Sequence, residues 1–381
     1  MSRFFLLAGE ASGDLHGALL AAALKRRDSA VELYGVGGPE MARAGVQLVL
    51  DSRELAVVGL FEVISRLPAV LDAYERVQQA LLELKPDLFI PIDFPDFNFR
   101  LLPKARRLGL RSLWYISPQV WAWRAERVEV LRRYVERIVV IFPFEEAFYR
   151  ARGVAVDWVG HPLLERVTPL DPASRNERRR ALGLDGEGPV IALLPGSRRS
   201  EVTRLAPLLA QARVAVDHAR SQRDLPPARW IVGRAEHVDP RWLAPLAGVA
   251  TIGEELDGRQ ALELADLALA ASGTVTMEAA LLGVPTVVVY RTNALTFAIA
   301  RRLIQVEHIA MANLILGRRL FPELLQDAAT PTAIAEEILR LADPGPDRRT
   351  LVDGMAEVRA RLGPPGAADR AAEVALAVLR G

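Results

Sequence analysis

The chain has 381 residues, 51% of them hydrophobic and 25% charged, the balance of a soluble globular enzyme with material for two cores. Lys and Arg number 48 against 47 Asp and Glu, so no overall basic field exists and nucleic acid is not an expected partner. Cysteine is absent, which excludes disulfides, thiolate metal sites and cysteine nucleophiles and is compatible with a reducing compartment. The opening MSRFFLLA is too short for a signal peptide. The longest apolar stretch, around 281–290, is interrupted by Pro285 and falls short of the roughly 20 residues that cross a bilayer. The chain is expected to touch a membrane at most.

Residues 4–8 form a short apolar strand, followed by the turn GEASGD at 9–14 and an alanine- and leucine-rich helix over 15–25. A second strand over 31–36 ends in Gly37-Gly38-Pro39. This strand–turn–helix–strand order repeats and predicts a parallel sheet with helices on both faces. Gly9, Gly13 and Gly17 are spaced by four, which matches neither the dinucleotide fingerprint nor a nucleotide-triphosphate loop. The turn signals a close approach of backbone to some ligand instead.

LFEVISRLPAVL at 60–71 carries Leu60, Phe61, Val63, Ile64, Leu67, Val70 and Leu71 along one helical face, with Arg53 and Arg66 nearby. A buried core helix is one reading; an interfacial helix resting in lipid headgroups is the other. The strand at 88–92 runs into Asp93-Phe94-Pro95-Asp96-Phe97-Asn98, which puts two carboxylates at the carboxyl edge of the sheet, where such folds hold ligands. Their spacing favours a general base over a metal pair, and one of the two is expected to cap the next helix. After the strand at 112–116 comes SPQVWAWR. Its Trp121, Trp123 and Arg124 read equally as an acyl- or sugar-binding wall and as packing. Strands at 138–142 and 156–159 end the first half at Gly160-His161-Pro162, where His161 is either a ligand contact or a structural turn residue. The expected first domain is 1–166, with a charged, Pro- and Gly-containing linker at 167–188.

The second domain, 189–343, opens on PVIALLPGSRRSEV. The buried strand 190–194 feeds Pro195-Gly196-Ser197, and Arg198 and Arg199 lie where a helix begins. Such a corner is either an anion site, with free N–H groups and the helix dipole aimed at the ligand, or an ordinary turn with surface arginines. A helix over 201–220 and strands at 230–232, 249–252 and 267–270 follow. Ser272-Gly273-Thr274 then makes a second strand–glycine–helix corner before the strand 286–290. Two such corners favour a nucleotide diphosphate. Glu278, one turn into the helix, is placed either to accept ribose hydroxyls or as a solvated charge that favours the helix start. The region 344–381 is expected to be a helical tail, interrupted at Pro344 and again at Pro364-Pro365, and the sequence leaves open whether it packs back on the first domain or stands apart from it.

These motifs together resemble the lipid-A-disaccharide synthase family of inverting glycosyltransferases. The resemblance is carried by GEASGD at 9–14, VVGLFEV at 57–63, IDFPDFN at 92–98, SPQVWAWR at 117–124 and GHPL at 160–163. It continues through LLPGSRRSEV at 193–202, SGTVTMEAALLGVPTVVVYR at 272–291 and ANLILGRRLFPELLQ at 312–326. Pro91 and Ala312 depart from the family pattern and bear on local loop geometry. The resemblance implies two Rossmann-like doubly wound domains facing across a cleft, the GT-B arrangement, with no cofactor and no metal in the chemistry.

It also implies transfer of 2,3-diacylglucosamine from UDP-2,3-diacylglucosamine to the primary hydroxyl of 2,3-diacylglucosamine 1-phosphate (lipid X), in lipid A biosynthesis. Those two substrates and the inner-leaflet surface are the expected partners. The implied location is cytoplasmic, peripheral on the inner membrane, and a homodimer is compatible with the sequence. In this frame Asp93 is the chosen base, with Glu10 and Asp96 as its alternates. Arg198, Gly196, Ser197, Ser272, Gly273 and Thr274 hold the leaving diphosphate, Glu278 the ribose, and Asn313 the donor phosphate or sugar. Ser12, Asp14, Asp96, Trp121 and Trp123 line the acceptor side, and Phe61, Val63, Ile64 and Leu67 meet the membrane. The rivals are a UDP-N-acetylglucosamine transferase or 2-epimerase on the same fold, and a non-catalytic nucleotide-binding membrane scaffold.

Overall fold

The computed structural model describes residues 2–55, 60–236, 238–247, 256–293, 297, 306–342 and 345–380, with the side chains of 60–67 outside the described set. The expected strand at 249–252 also lies outside the described residues. The chain divides into two units: unit 1 is 1–165 together with 362–381, and unit 2 is 166–361.

Unit 1 is built on a parallel sheet. Its strands are β1 (Arg3–Ala8), β2 (Glu32–Gly37), β3 (Gln47–Asp51), β4 (Leu88–Ile92), β5 (Arg111–Tyr115), β6 (Arg137–Val140) and β7 (Val156–Trp158), in the order β3-β2-β1-β4-β5-β6-β7. The central strands are apolar along their whole length because helices cover both faces. Phe5, Leu7, Phe89, Trp114, Ile138 and Val140 meet in one core, and each such side chain contributes roughly 1.5–3 kcal/mol on burial. Pro91 lies in the central strand β4, opposite Leu7 of β1. Pairing with β5 runs Leu88–Arg111 and Phe89–Ser112 and resumes at Ile92–Tyr115, as expected where a residue has no N–H to give.

The helices of unit 1 are α1 (Ala11–Arg27), α2 (Pro39–Arg43), α3 (Leu60–Leu84), α4 (Pro95–Arg107), α5 (Val128–Tyr134) and α6 (Pro143–Arg150). The stretch at 60–71 is therefore the first half of a 25-residue helix that continues through Pro68.

Unit 2 carries a second parallel sheet. Its strands β8 (Val190–Leu194), β9 (Arg229–Val232), β10 (Leu267–Ala271), β11 (Thr286–Tyr290) and β12 (Glu323–Leu325) run in the order β12-β11-β10-β8-β9. Around it lie α7 (Pro172–Ala181), α8 (Arg199–Ser221), α9 (Gly258–Leu264), α10 (Thr274–Leu282), α11 (Met311–Leu316), α12 (Pro331–Ala342) and α13 (Pro346–Arg361).

Two boundaries differ from expectation. Residues 167–188 are not a free connector, because they include α7, which is fastened to unit 2. Asp266 accepts from Arg175 at 3.0 Å, Arg179 at 2.8 Å and the Val190 N–H at 2.9 Å, tying that helix to the amino edge of the sheet. The break near the end falls at Leu362 rather than 344, so α13 stays with unit 2. The last helix, α14 (Ala367–Arg380), packs on α1 within unit 1 through an alanine face, with Arg26–Asp369 at 2.9 Å and Arg27–Glu373 at 2.7 Å along its rim. Glu165 caps its start, accepting the N–H groups of Gly366 and Ala367 at 2.8 and 2.9 Å.

Candidate active site

In unit 1 the strand order reverses between β1 and β4. Crevices at such switch points, outside the carboxyl ends of the strands, are where open parallel sheets bind ligands. Ala8 and Ile92 are register partners, so Glu10 and Asp93 leave the two strands that flank the switch.

Asp93 and Phe94 both have left-handed backbone, with φ of 46° and 49°, a conformation that costs non-glycine residues roughly 1–3 kcal/mol each. Several contacts hold it. The Asp93 N–H is shared between the carbonyls of Tyr115 and Ile116, at 3.2 Å each, and the Asn98 N–H reaches the Phe94 carbonyl at 3.2 Å. The Asn98 side-chain amide donates to the Asp93 carbonyl at 2.8 Å. The Phe94 ring packs on Phe97, 5.7 Å between centroids, and lies on Gly9, where a Cβ would come within 2.3 Å of it. The glycine after β1 thus admits the residue that follows Asp93. The Asp93 carboxyl is half-buried. Burial, reinforced by the Glu10 charge and partly offset by the Phe94 N–H, pushes its pKa up to about 7. A carboxyl so tuned is suited to proton abstraction near neutral pH.

The other expected residues of unit 1 divide. Glu10 and Ser12 are exposed at the start of α1. Asp96 is exposed but paired with Arg127 at 3.0 Å. Neither Asp93 nor Asp96 is the helix cap; that position belongs to Phe94. Asp14 does not line a ligand surface. It is buried and accepts the N–H groups of Gly38, Glu40 and Met41 at 2.7–3.0 Å, capping α2. Trp121 is also turned inward: its ring packs edge-on against Phe144, and its N–H donates to Glu145 at 3.0 Å. Trp123 is half-buried under the Arg124 guanidinium, 4.3 Å from the ring centre. His161 is structural, with Nδ1 accepting from the Leu163 N–H at 3.2 Å. Burial, then the neighbouring His16, lowers its pKa to about 3. The side chains of Phe61, Val63, Ile64 and Leu67 lie outside the described residues.

Unit 2 has the same plan. Its strand order reverses between β8 and β10, and the two glycine corners leave those strands. Gly196 has φ +110°, lies 3.5 Å from the Ala271 Cβ by the position its own Cβ would take, and leaves room for the Glu201 carboxylate. That carboxylate accepts the N–H groups of Ser197 and Arg198 at 3.3 Å each. Arg198 remains 58% exposed and only 3.7 Å from Glu201, while Arg199 turns to the Trp242 ring at 5.7 Å. Gly273 and Thr274 are exposed at the start of α10, and the Ser272 hydroxyl donates to the Ile309 carbonyl at 3.2 Å. Burial and then Asp257 push the Glu278 carboxyl up to about 7, against Arg259 and Arg166.

Asn313 corrects an expectation. It is wholly buried, donating to the Phe321 carbonyl and Glu323 and accepting the N–H groups of Leu320 and Phe321 at 2.8–3.0 Å. The hydrogen bonds of its side chain go to shaping the loop after α11. Among the described residues no group of three or more His, Asp or Glu side chains is placed to hold a metal.

Two further buried polar side chains, Glu145 and Asn98, are not singled out by the sequence. Glu145 accepts from the Ser117 hydroxyl at 2.6 Å, the Trp121 N–H and the Phe142 N–H at 3.0 Å. Two of these partners, Trp121 and Ser117, lie 24 and 28 residues upstream, beyond any local sequence signal.

Two parallel sheets, each with a reversal of its strand order, are the arrangement of the GT-B class of glycosyltransferases and related enzymes. Similar folds include the calicheamicin glycosyltransferase CalG4, with a TM-score of 0.61 and 20% identity over 99% of this chain and 98% of that one. The UDP-GlcNAc 2-epimerase from Neisseria meningitidis is also similar, with a TM-score of 0.60 and 11% identity over 100% and 99%. Sequence narrows the class. The model of the family "Lipid-A-disaccharide synthetase" matches residues 4–365. The lipid-A-disaccharide synthase of Syntrophus aciditrophicus is 43% identical over 98% of this chain and 97% of its own length. The chain belongs to the lipid-A-disaccharide synthetase family, and is a UDP-sugar-dependent glycosyltransferase of lipid A biosynthesis.

Proposed function

We propose that the chain transfers 2,3-diacylglucosamine from its UDP ester to the primary hydroxyl of lipid X by a single inverting displacement, with Asp93 as the base. The observation that carries the assignment is the Asp93 turn: a carboxyl held at a switch point with its pKa raised to about 7. In the reaction Asp93 takes the proton of the acceptor hydroxyl as that oxygen attacks the anomeric carbon, and UDP leaves with the bonding pair. Glu10 is the neighbouring charge that keeps Asp93 basic, and the exposed Ser12 and half-buried Trp123 are acceptor-side contacts. Arg198 neutralises the departing diphosphate together with the N–H groups at Gly196–Ser197 and at Gly273–Thr274. Glu278 holds the ribose, a role supported by its half-buried carboxyl beside the second corner.

Membrane attachment through the first half of α3 is part of the same reading. It is supported by Leu71, 50% exposed, by the exposed Pro68 and Ala69 beside it, and by the acyl chains of both substrates. Among the described residues no helix is long and apolar enough to cross a membrane. The deciding experiment incubates the protein with UDP-2,3-diacylglucosamine and lipid X and follows UDP and disaccharide by mass. Equimolar UDP and tetraacyl disaccharide are expected. Conversion of soluble UDP-N-acetylglucosamine without an acceptor would instead identify an epimerase.

A further inference from the structure

Asn98 sits in the first turn of α4, fully buried. An asparagine is a poor helix former, and this one leaves its Oδ1 buried with no hydrogen-bond partner among the described residues. A leucine, with the same number and branching of side-chain heavy atoms, would leave no unpaired acceptor there, so packing alone does not account for the amide. The hydrogen bond its side chain does make, at 2.8 Å, is to the main-chain carbonyl of Asp93. That carbonyl belongs to the first of two consecutive non-glycine residues in left-handed conformation. Nothing covalent holds such a turn, and the direction of the Asp93 side chain follows from it.

We infer that Asn98 is a positioning residue of the reaction: its amide locks the left-handed main chain of Asp93 and so sets the direction of the carboxylate. The inference rests on the reading of Asp93 as base. Without the amide the turn relaxes toward the favoured β region, the carboxylate swings off line and water reaches it. Donor binding, which belongs to unit 2, is untouched.

The test is a cycle of Asn98→Leu, Asp93→Asn and the double variant in the full chain, assayed with UDP-2,3-diacylglucosamine and lipid X. Asn98→Leu is expected to lower kcat about 10- to 100-fold, the effect of a misplaced catalytic group, with the donor KM unchanged. The acid limb of its pH–rate profile should move from about 7 toward the ordinary carboxylate range. The double variant should be no slower than Asp93→Asn alone, because the amide acts only through that side chain. Multiplying losses would overturn the inference, as would a wild-type kcat and acid limb in Asn98→Leu. If Asp93→Asn itself turns over at the wild-type rate, the base reading falls first. If Asp93→Asn is slow and Asn98→Leu is not, only the positioning role falls. Should Asn98→Leu fail to melt cooperatively or to bind UDP, Asn98→Ser takes its place in the cycle, with the same outcomes deciding.

Discussion

Arg198 gives its backbone N–H to the carboxylate of Glu201 at 3.3 Å while its guanidinium stands 3.7 Å from the same group. A carboxylate of the protein thus takes donors that a diphosphate would use. Removing that competing charge should help UDP. Glu201→Gln keeps an acceptor for the loop and is expected to tighten UDP binding about fivefold, the order of one exposed charge interaction. Calorimetric titration reads it. A loss of affinity above tenfold would mean that the carboxylate shapes the corner for its ligand.

Arg198→Ala removes the exposed cation of the corner. A charge-assisted hydrogen bond is worth about 1.5–3 kcal/mol, so UDP should bind about 10- to 150-fold more weakly. Arg199→Ala, whose guanidinium faces Trp242, should change UDP affinity less than threefold. Equal losses in the two variants would refute the division of labour.

Asp93→Asn should lower kcat about 10²–10⁴-fold. In the wild type the base must be ionised, and its pKa is raised to about 7. Below that pH kcat should therefore fall about tenfold per unit, and above it level off. A profile flat down to pH 5 would remove Asp93 from the role.

The Glu278 carboxyl is raised to about 7 by burial and then by Asp257. A raised carboxyl contributes stability that is complete below its unfolded value, near 4.3, and lost as pH climbs through the folded one. His161 works in the opposite direction, since its lowered pKa adds stability above about 6.5 that is lost as pH falls toward 3. The Glu278 contribution is therefore best read as a difference. Relative to wild type, ligand-free Glu278→Gln should melt higher at pH 8 than at pH 5 by several degrees. An unchanged difference across that range would contradict it.

Glu145→Ala strips the acceptor from Ser117, Trp121 and the Phe142 N–H. Leaving buried donors without partners should cost about 3 kcal/mol in denaturant unfolding. A loss under 1 kcal/mol would show that the loop closes around the gap.

The parts of this protein that were legible in its sequence are those written in adjacent residues. The run 190–194 followed by Pro195-Gly196-Ser197, and 267–271 followed by Ser272-Gly273-Thr274, announce strand, tight turn and helix start within a dozen positions. Asp93 stands out because a strand end and a carboxylate adjoin. The edge strands β3 and β12 carry no such signal, since QLVLD and ELL are not directly followed by a glycine turn and a helix start. Asp14 and Asn313 were given the wrong surroundings for a different reason. Their partners, Gly38 and Met41 for the one and Leu320 to Glu323 for the other, are fixed by how the chain folds back, and polarity alone does not tell a cap from a ligand contact. The left-handed backbone at Phe94 was equally silent: aspartate is among the residue types enriched in that region, but phenylalanine is not.

The return of residues 362–380 to unit 1 has a consequence for the order in which the protein is made. Unit 2 is continuous in sequence and can fold as soon as residue 361 has emerged from the ribosome. Unit 1, begun first, must wait for α14 to lay its alanine face on α1 and for Glu165 to find the N–H groups of Gly366 and Ala367. Domains ordinarily fold from the N-terminus as synthesis proceeds; here the unit that holds Asp93 is completed last. A nascent chain therefore completes the unit with the two glycine corners before the unit that carries Asp93.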